Sequence, residues 1–151
     1  MRYKLELDKV DNEIIKLLQS DGRKPYTEIA EKLKISEGTV RTRVAKLLVK
    51  KVIEIVAHTN PDKVGLHTQA IIGLETQLGH QDQVAKALLR YKEVRFVSVV
   101  SGTFDLIIQV YVSSNEELVE FINNKLSKVD GIMKADVSIE LKGYKDSFKY
   151  I

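Results

Sequence analysis

Apolar residues in the first fifty positions recur three or four residues apart, the spacing of an amphipathic helix, in three successive segments. The pattern predicts helices over residues 8–20, over residues 26–33 and from the helix-capping Ser36 onward. Pro25, before the second segment, is tolerated at a helix start because the missing N–H has no partner there. The residues predicted to face inward are Val10, Ile14, Leu17 and Leu18, then Ile29, Ala30 and Leu33, then Val40, Val44, Leu47 and Leu48.

The third helix is apolar on one face and basic on the others. No acidic residue occurs between Gly38 and Ile53, so its cations can neutralise DNA phosphates while short polar side chains reach base edges. An ordinary solvated amphipathic helix would show a similar run of charge. The small Ala30, before the corner between the second and third helices, favours a helix-turn-helix, in which two helices approach closely. The residues on its outer faces are Thr39, Arg41, Thr42, Arg43, Lys46 and Lys50.

Beyond Lys51 the pattern changes to short alternating segments that are typical of strands. Residues 52–59 predict a linker strand, and the turn residues 60–65 close it. The remainder predicts strands over residues 69–78, 94–100, 106–112 and 135–141, and helices over residues 82–91 and from Ser114, where Glu117 has the spacing of a capping box.

The order β-α-β-β-α-β is that of a ferredoxin-like domain, in which two helices cover one face of a four-stranded antiparallel sheet. The opposite face stays bare unless a partner covers it, which favours a dimer. We therefore predict an α+β chain with an N-terminal three-helix helix-turn-helix domain and a C-terminal ferredoxin-like βαββαβ domain. The predicted divisions are residues 1–51 for the helices, 52–67 for a linker strand and hinge, and 68–151 for the second domain.

Composition limits the class of protein. Of the 151 residues, 44% are hydrophobic and 30% are charged, which is typical of a globular protein. The absence of cysteine excludes disulfides and thiolate metal sites. No apolar run approaches the ~18 residues of a membrane span, so a cytoplasmic location is expected. Residues 1–60 carry 13 Lys and Arg against 9 Asp and Glu, a net charge of +4, whereas residues 61–151 carry 11 against 12.

Four segments, in this order and at this spacing, resemble the Lrp/AsnC (feast/famine) family of transcriptional regulators of archaea and bacteria. They are LDKVDNEIIKLLQSDGR near the start, SEGTVRTRVAKL in the third helix, VIEIVAHTNPDKVG in the linker, and SGTFD at residues 101–105, which matches the Gly-x-x-Asp turn of the family's ligand domain. Three residues depart from the family pattern. Pro25 stands where Ser or Thr is common, and Lys34 and Lys51 replace glycines. A lysine in a left-handed turn costs roughly 1 kcal/mol.

The resemblance implies a homodimer whose two helix pairs enter successive major grooves of duplex DNA, about 34 Å apart, on a pseudo-palindromic operator. It also implies that dimers assemble further, commonly into octamers. The second domain would sense a free amino acid between dimers and so modulate assembly or DNA affinity. The residues assigned to DNA binding are Ser36, Thr39, Arg41, Thr42, Arg43, Lys46 and Lys50.

A free amino acid is a zwitterion, which requires a carboxylate or carbonyls for its ammonium and backbone N–H groups for its carboxylate. Gly102 permits a turn that exposes such N–H groups, and Asp105 or Asp136 could meet the ammonium. A hairpin glycine and an aspartate that bonds its own turn fit Gly102 and Asp105 equally well. Asn123 is assigned to the ligand's side chain, and its neutrality favours glutamine or another neutral amino acid over lysine. By similarity, the pocket draws on Ser101, Gly102, Thr103, Asp105, Asn123, Ala135, Asp136 and Val137.

Nothing in the residue pattern supports an enzyme. His58, His67 and His80 lack metal-ligand spacing, and no phosphate-binding glycine loop or Ser–His–Asp pattern is present, so no catalytic residue, metal or cofactor is assigned. The enzyme alternative is a sirohaem-decarboxylase-like protein, a family of similar architecture that needs His and Arg groups around a tetrapyrrole. Arg90 and Arg95, the arginines after residue 60, form no pattern with a histidine. A second alternative is a sequence-indifferent architectural DNA-binding protein.

Overall fold

The structure, a computed structural model, describes residues 6–144 and divides into two compact units. One unit comprises the described residues up to His58, and the other comprises Thr59–Tyr144. The predicted boundaries after residues 51 and 67 stay predictions, and the predicted outer limits at residues 1 and 151 lie outside the described residues.

The first unit consists of three helices around one apolar core, as the periodicity of the sequence predicts. The helices are α1 (Lys9–Ser20), α2 (Tyr26–Leu33) and α3 (Glu37–Val49). Ile14, Ile29, Val40 and Val44 are completely buried at the centre of this core. Leu48, which the pattern also assigns to the core, is 37% exposed because it lies at the edge of the apolar stripe of its helix.

Side-chain oxygens begin two of these helices. Asp8 accepts a hydrogen bond from the backbone N–H of Asp11 (2.8 Å), and Asp11 accepts one from the backbone N–H of Asp8 (3.3 Å). Ser36 accepts one from the backbone N–H of Thr39 (3.1 Å). Each bond satisfies an N–H that a helix terminus would otherwise leave unpaired, so α1 and α3 begin where the capping residues predict.

Two lysines end helices in the left-handed conformation that glycine usually adopts. Lys34 has a φ of 56° after α2, and Lys51 has a φ of 53° after α3. The N–H of Lys51 donates to the carbonyl of Leu48, and the N–H of Val52 donates to the carbonyl of Leu47. The same pair of bonds follows α2, so both helices end in Schellman motifs. The lysines therefore occupy the backbone positions where the family resemblance expects glycine.

Residues 52–59 differ from the prediction. The chain from Ile53 to Asn60 belongs to neither helix nor strand, and no strand within residues 6–144 pairs with it. A strand is stabilised by ladder hydrogen bonds to a neighbour, which an alternating pattern cannot supply alone. The predicted turn is present, because the 3-10 helix Asp62–Val64 ends at Gly65 with a φ of 84°.

The second unit is a four-stranded antiparallel sheet with two helices on one face, which confirms the ferredoxin-like order. Its elements are β1 (Thr68–Thr76), α4 (Gln81–Leu88), β2 (Val94–Val99), β3 (Leu106–Val112), α5 (Asn115–Asn124) and β4 (Ile132–Ile139), with a 3-10 turn at Leu126–Lys128. The strands lie in the order β2-β3-β1-β4. Ile72 and Leu74 of β1 are completely buried with Phe121 of α5, whereas Ile71 on the other face is 44% exposed.

The largest differences in extent from the prediction concern β4 and α4. The strand β4 begins at Ile132, three residues earlier than predicted, because Ile132 pairs with Thr76 directly after Gly131, whose φ of 92° turns the chain into the strand. The helix α4 ends at Leu88 rather than at residue 91. Tyr91 instead packs edge-on against Phe121, with 5.8 Å between the ring centroids.

The capping box predicted at α5 is displaced by one residue. Ser114 accepts the expected bond from the N–H of Glu117 (3.3 Å). The carboxylate of Glu117, however, accepts from the backbone N–H of Ser113 (2.7 Å) and from its hydroxyl (2.6 Å), not from the N–H of Ser114. Ser113 offers two donors to one carboxylate oxygen, which explains the preference.

Candidate functional site

The outward surface of α3 is the side opposite its buried residues. Val40, Val44 and Leu47 face the core, and successive residues of an α-helix are about 100° apart. The side opposite them is centred near Thr42, so that Arg41 lies towards one flank and Arg43 towards the other. The exposed residues at the centre of this outward surface are Gly38, Thr42, Ala45, Lys46 and Val49. Several are small, which permits another backbone to approach α3 closely.

The three predicted hydroxyl contacts, Ser36, Thr39 and Thr42, are exposed and are already hydrogen-bonded near the start of α3. The hydroxyl oxygens of Ser36 and Thr39 lie 2.8 Å apart, and Thr42 donates to the carbonyl oxygen of Gly38 at 2.9 Å. These bonds restrain the hydroxyl groups. A hydroxyl has one donor and two acceptor sites, so each can still bond a further partner.

Arg41 lies on the flank towards α2 and remains exposed. Its guanidinium donates to the carboxylate of Glu37, one turn earlier, at 2.7 Å and lies 5.5 Å from the centroid of the Tyr26 ring. The side chains of Arg41 and Glu37 are 67% and 44% exposed, so this ion pair is weak and exchangeable. Arg41 can therefore move from Glu37 to a phosphate.

Arg43 lies on the flank towards α1 and has two acidic partners there. Its Nη1 atom is 2.6 Å from Asp8 Oδ2 and 2.7 Å from Asp11 Oδ1. The bonds from Asp8 and then from Asp11 raise the pKa of Arg43 above its usual range. The pKa of Asp8 is lowered, first by the backbone N–H of Asp11 and then by Arg43. The residues of α3 from Gly38 onward include no acid, but two carboxylates from the start of α1 lie beside this part of the helix.

Lys46 and Lys50 complete the predicted cations. Both side chains are exposed, and neither forms an ion pair with any residue of the described part of the chain. Arg41 and Arg43, in contrast, each form an ion pair. Their charges are therefore fully available to an external anion.

An open groove of about 700 Å³ runs along the Arg43 flank of α3. The residues that line it from α3 and its cap are Ser36, Gly38, Thr39, Thr42, Arg43 and Lys46, and those from the start of the described chain and α1 are Glu6, Asp8 and Asp11. Five of the seven residues predicted to bind DNA are therefore brought to one groove, together with three carboxylates.

Several residues that shape this surface are absent from the predicted set. Gly38 and Ala45 lie four residues before and three residues after Thr42, so helical spacing could have identified them. Asp8 and Asp11 are 32 and more positions from Arg43 in the sequence, and no local pattern connects them with it.

The predicted ligand residues of the turn at 101–105 lie between β2 and β3. Gly102 has a φ of 139°, a conformation that favours glycine. The carboxylate of Asp105 accepts hydrogen bonds from the backbone N–H of Thr76 (2.7 Å) and from its hydroxyl (3.2 Å), and the N–H of Asp105 donates to the carbonyl of Leu74 (2.9 Å). The side chain of Asp105 thus ties the turn to the end of β1 rather than bonding within its own turn.

Phe104 of the same turn lies directly on Gly73 of β1. A Cβ atom at Gly73 would be 2.5 Å from a ring carbon of Phe104, so only glycine fits beneath the ring. Neither residue is in the predicted set. An isolated glycine within a strand is a recognised signal of a close approach, and it could have identified this position.

The remaining predicted ligand residues lie on two faces of the sheet. Asp136 pairs with Gly73 and is exposed on the open face, whereas Ala135 and Val137 alternate with it. Asn123 belongs to α5, which packs on the covered face, and its backbone carbonyl accepts a bond from the hydroxyl of Ser127 (2.6 Å). The structure therefore does not bring Asn123 and Asp136 together within one chain.

Within residues 6–144, no three His, Cys, Asp or Glu side chains are grouped closely enough to hold a metal ion. No helix in this part of the chain is both long enough and apolar enough to cross a membrane.

Two family models match the chain, each over one of its halves. The AsnC-type helix-turn-helix domain matches residues 7–48, and the Lrp/AsnC ligand binding domain matches residues 69–150.

Comparisons with individual proteins extend over nearly the whole chain. A helix-turn-helix-type transcriptional regulator of Pyrococcus horikoshii is 39% identical over 137 residues, which cover 90% of this chain and 87% of that protein. The structure of AsnC from E. coli has a TM-score of 0.91 at 22% identity and covers 96% of this chain and 99% of its own. A transcriptional regulator of Neisseria meningitidis, solved as an L-Met complex, has a TM-score of 0.90 at 23% identity, with 97% of both chains covered.

Proposed function

Since this chain belongs to the Lrp/AsnC family of transcriptional regulators, we propose that it binds a pseudo-palindromic operator as a homodimer and responds to a free neutral amino acid. Membership of this family supports the prediction that the chain is not an enzyme, because the relatives are transcriptional regulators. Operator binding would take place in the cytoplasm. The amino acid would alter either assembly or DNA affinity.

The observation that carries the DNA-binding proposal is the outward surface of α3. It combines small residues at its centre, such as Gly38 and Ala45, with the lysines Lys46 and Lys50, which have no partner within residues 6–144. We assign Arg41 and the two lysines to phosphates, and Thr39 with Thr42 to base edges, since threonine can bond either base of a pair or contact a thymine methyl group. Ser36, at the start of α3, would contact the sugar–phosphate backbone of DNA. Arg43 is omitted because its guanidinium is paired inside the chain.

The open face of the sheet supports the proposed homodimer. Ile71 and Phe96 on this face are 44% and 49% exposed, respectively, although Ile72 and Leu74 on the other side of the sheet are completely buried. Exposed apolar residues on a flat sheet are stabilised when a second copy covers them. Two helix-turn-helix domains in such a dimer would enter grooves about 34 Å apart, and further association would give the octamer expected from the family resemblance.

The proposed effector is a free neutral amino acid such as glutamine. The neisserial regulator was solved with L-Met, which is also neutral. The proposed site comprises Ser101, Gly102, Thr103, Asp105, Asn123, Ala135, Asp136 and Val137. Asn123 and Asp136 lie on opposite sides of the sheet. One ligand can therefore contact residues of both sides only if a second chain completes the site. This requirement links the effector to assembly.

The DNA-binding proposal is tested with duplexes selected from a random library. We expect Arg41→Ala to weaken binding and to reduce the slope of log K against log salt by about one unit, because one phosphate contact is lost. Lys86→Ala removes an exposed charge from α4 and is the matched control, for which we expect no change. Equal binding of selected and scrambled duplexes would instead indicate an architectural DNA-binding protein. Unchanged binding by Arg41→Ala would contradict the proposed contact.

The effector proposal is tested by thermal unfolding in the presence of each of the twenty amino acids. A ligand at 100 times its Kd stabilises the folded state by about 2.7 kcal/mol, which gives a measurable rise in Tm. We expect Asn123→Ala to reduce this rise and Asn124→Ala, its exposed neighbour on α5, to leave it unchanged. A screen without any rise in Tm would contradict the effector and leave the DNA-binding proposal intact.

A further inference from the structure

We propose that Arg43 is a positioning residue that fixes α3 to α1 and neutralises part of the negative charge of the carboxylates beside the outward surface, rather than a contact to DNA phosphate. This inference rests on the proposed DNA-binding function. It assigns a different role to one of the two arginines on α3, although the sequence pattern does not distinguish between them.

All four carboxylate oxygens of Asp8 and Asp11 accept hydrogen bonds. One oxygen of each accepts a backbone N–H and caps α1, at 2.8 and 3.3 Å. The other oxygen of each accepts Arg43 Nη1, at 2.6 and 2.7 Å. The capping box that begins α1 is therefore also the binding site for Arg43. Two bonds to one nitrogen define the position of the arginine, and with it the side of α3 that faces α1.

The two arginines of α3 differ in burial. The Arg43 side chain is 30% exposed, and its partners Asp11 and Asp8 are 14% and 53% exposed, whereas Arg41 and its partner Glu37 are 67% and 44% exposed. Screening by water is weaker at the Arg43–Asp11 pair, so removal of one of these two partners leaves a charge that solvent compensates poorly. Arg43 is thus held in place, while Arg41 can exchange partners.

The carboxylates lie beside the proposed DNA-binding surface. Asp8, Asp11 and Glu6 line the same open groove as Thr39 and Lys46 of the proposed DNA-binding surface. Carboxylates within the Debye length of ~8 Å repel phosphates at physiological salt. Arg43 compensates one of these charges. Without Arg43, DNA would approach α3 against one more uncompensated negative charge.

The decisive experiment compares Arg43→Met with the triple variant Asp8→Asn, Asp11→Asn, Arg43→Met, in which asparagine retains the helix cap. We expect Arg43→Met to weaken operator binding about tenfold or more through repulsion. We expect the triple variant to bind within about threefold of the parent with an unchanged salt slope, because the carboxylates are gone. Arg43→Lys retains the positive charge and is expected to stay within about threefold of the parent. A triple variant as weak as Arg43→Met, or one whose slope falls by about one unit, would overturn the proposal.

The exposed pair on the other flank supplies the matched control. In the double variant Glu37→Gln, Arg41→Met, the carboxylate and the arginine are neutralised together, as in the triple variant. Because Arg41 is proposed to contact phosphate, we expect no recovery of affinity and a salt slope lower by about one unit. If operator affinity also recovered in this control, the recovery would not be specific to Arg43. The proposed difference in role between Arg41 and Arg43 would then be overturned.

A measurement without DNA separates this inference from the proposed function. Arg43→Met and Asp11→Asn should each lower the urea midpoint of unfolding, and the double variant should lower it by less than the sum, as for directly interacting groups. Strictly additive changes would overturn the role of Arg43 in fixing α3, even if the parent binds DNA. Coupled changes in a parent that binds no duplex would instead contradict the proposed function and the neutralising role with it.

Discussion

The Nζ atom of Lys125 lies 2.7 Å from Oε1 of Glu93, and this ion pair joins the end of α5 to the residue before β2. Glu93 is only 5% exposed. Burial raises the pKa of Glu93, but the hydrogen bonds from Lys125 and from the Glu93 backbone N–H, together with the charge of Lys125, outweigh burial and place the pKa below its usual value. The bond from Glu93 in turn raises the pKa of Lys125. The pair is therefore ionised near neutral pH.

We expect the ion pair to give the second unit a pH-dependent stability. The Glu93 contribution is complete above the ordinary carboxyl pKa of 4.5 and is lost as pH falls through the lower folded-state value. The Lys125 contribution is lost as pH rises beyond 10.5. Glu93→Gln should lower the free energy of unfolding by about 1–3 kcal/mol at pH 7 and flatten its acid dependence. Urea unfolding from pH 3 to 7 measures both effects.

The control for Glu93 is Glu120→Gln, on the exposed side of α5. This substitution removes a carboxylate that has no hydrogen bond or salt bridge within residues 6–144. Its effect on stability should stay within about 0.5 kcal/mol. If both variants show the same acid dependence as the parent, the ion pair does not contribute to it.

Glycine at the two left-handed lysines should stabilise the first unit. Lys34→Gly and Lys51→Gly each remove the strain of a side chain at positive φ, and we expect a gain of about 0.5–1 kcal/mol each after the entropy of glycine is counted. Lys32→Gly, within the right-handed α2, should have the opposite sign and cost about 1 kcal/mol. Urea midpoints of the three variants report the signs directly. A loss of stability at either left-handed position would show that the lysine side chain makes a compensating contact.

The close packing of Phe104 on Gly73 predicts a sharp steric effect. Gly73→Ala places a methyl group 2.5 Å from the ring, so either the ring or β1 must move, at a cost of about 1–3 kcal/mol. The displaced ring belongs to the turn at residues 101–105, so the amino-acid response should be lost too. In the Phe104→Ala background, the added methyl group should cost nothing further. A cost that persists there would locate the strain elsewhere.

Gly38 offers a variant whose effects on folding and on DNA binding have opposite signs. A Cβ at Gly38 meets no heavy atom closer than 3.9 Å, and alanine is the better helix former, so Gly38→Ala should raise stability by up to about 1 kcal/mol. On the outward surface of α3, the same methyl group would hold DNA away and should weaken operator binding about threefold or more. Calorimetry and a binding titration test the two signs together. Unchanged affinity would place DNA on a different surface.

Much of the fold follows from local features of the sequence. Helical periodicity and the caps Asp8 and Ser36 locate α1 to α3, and alternation with turn residues locates β3 at its observed bounds. Lys34 and Lys51 indicate left-handed turns through their place in the family pattern. These features depend on neighbours within about one turn of helix or one hairpin, so they can be predicted from the local sequence.

Contacts between distant residues required the folded chain. No local pattern shows that Arg43 binds Asp8 and Asp11, or that Asp105 bonds Thr76 across the sheet. Residues 52–59 show the converse, because their alternation predicts a strand and no strand in the described chain pairs with them. In each case the outcome depends on what packs beside the residue and not on the residue itself.

The order of amino acids was therefore sufficient to predict the family, the α+β architecture and the cationic character of α3, since each depends on the periodicity, motifs or charges of the sequence. It was not sufficient to distinguish Arg41 from Arg43, or to place Asn123 and Asp136 on opposite faces of the sheet. Those distinctions come from electrostatic and steric contacts between segments more than ten residues apart, and such contacts exist only once the helices and strands have packed.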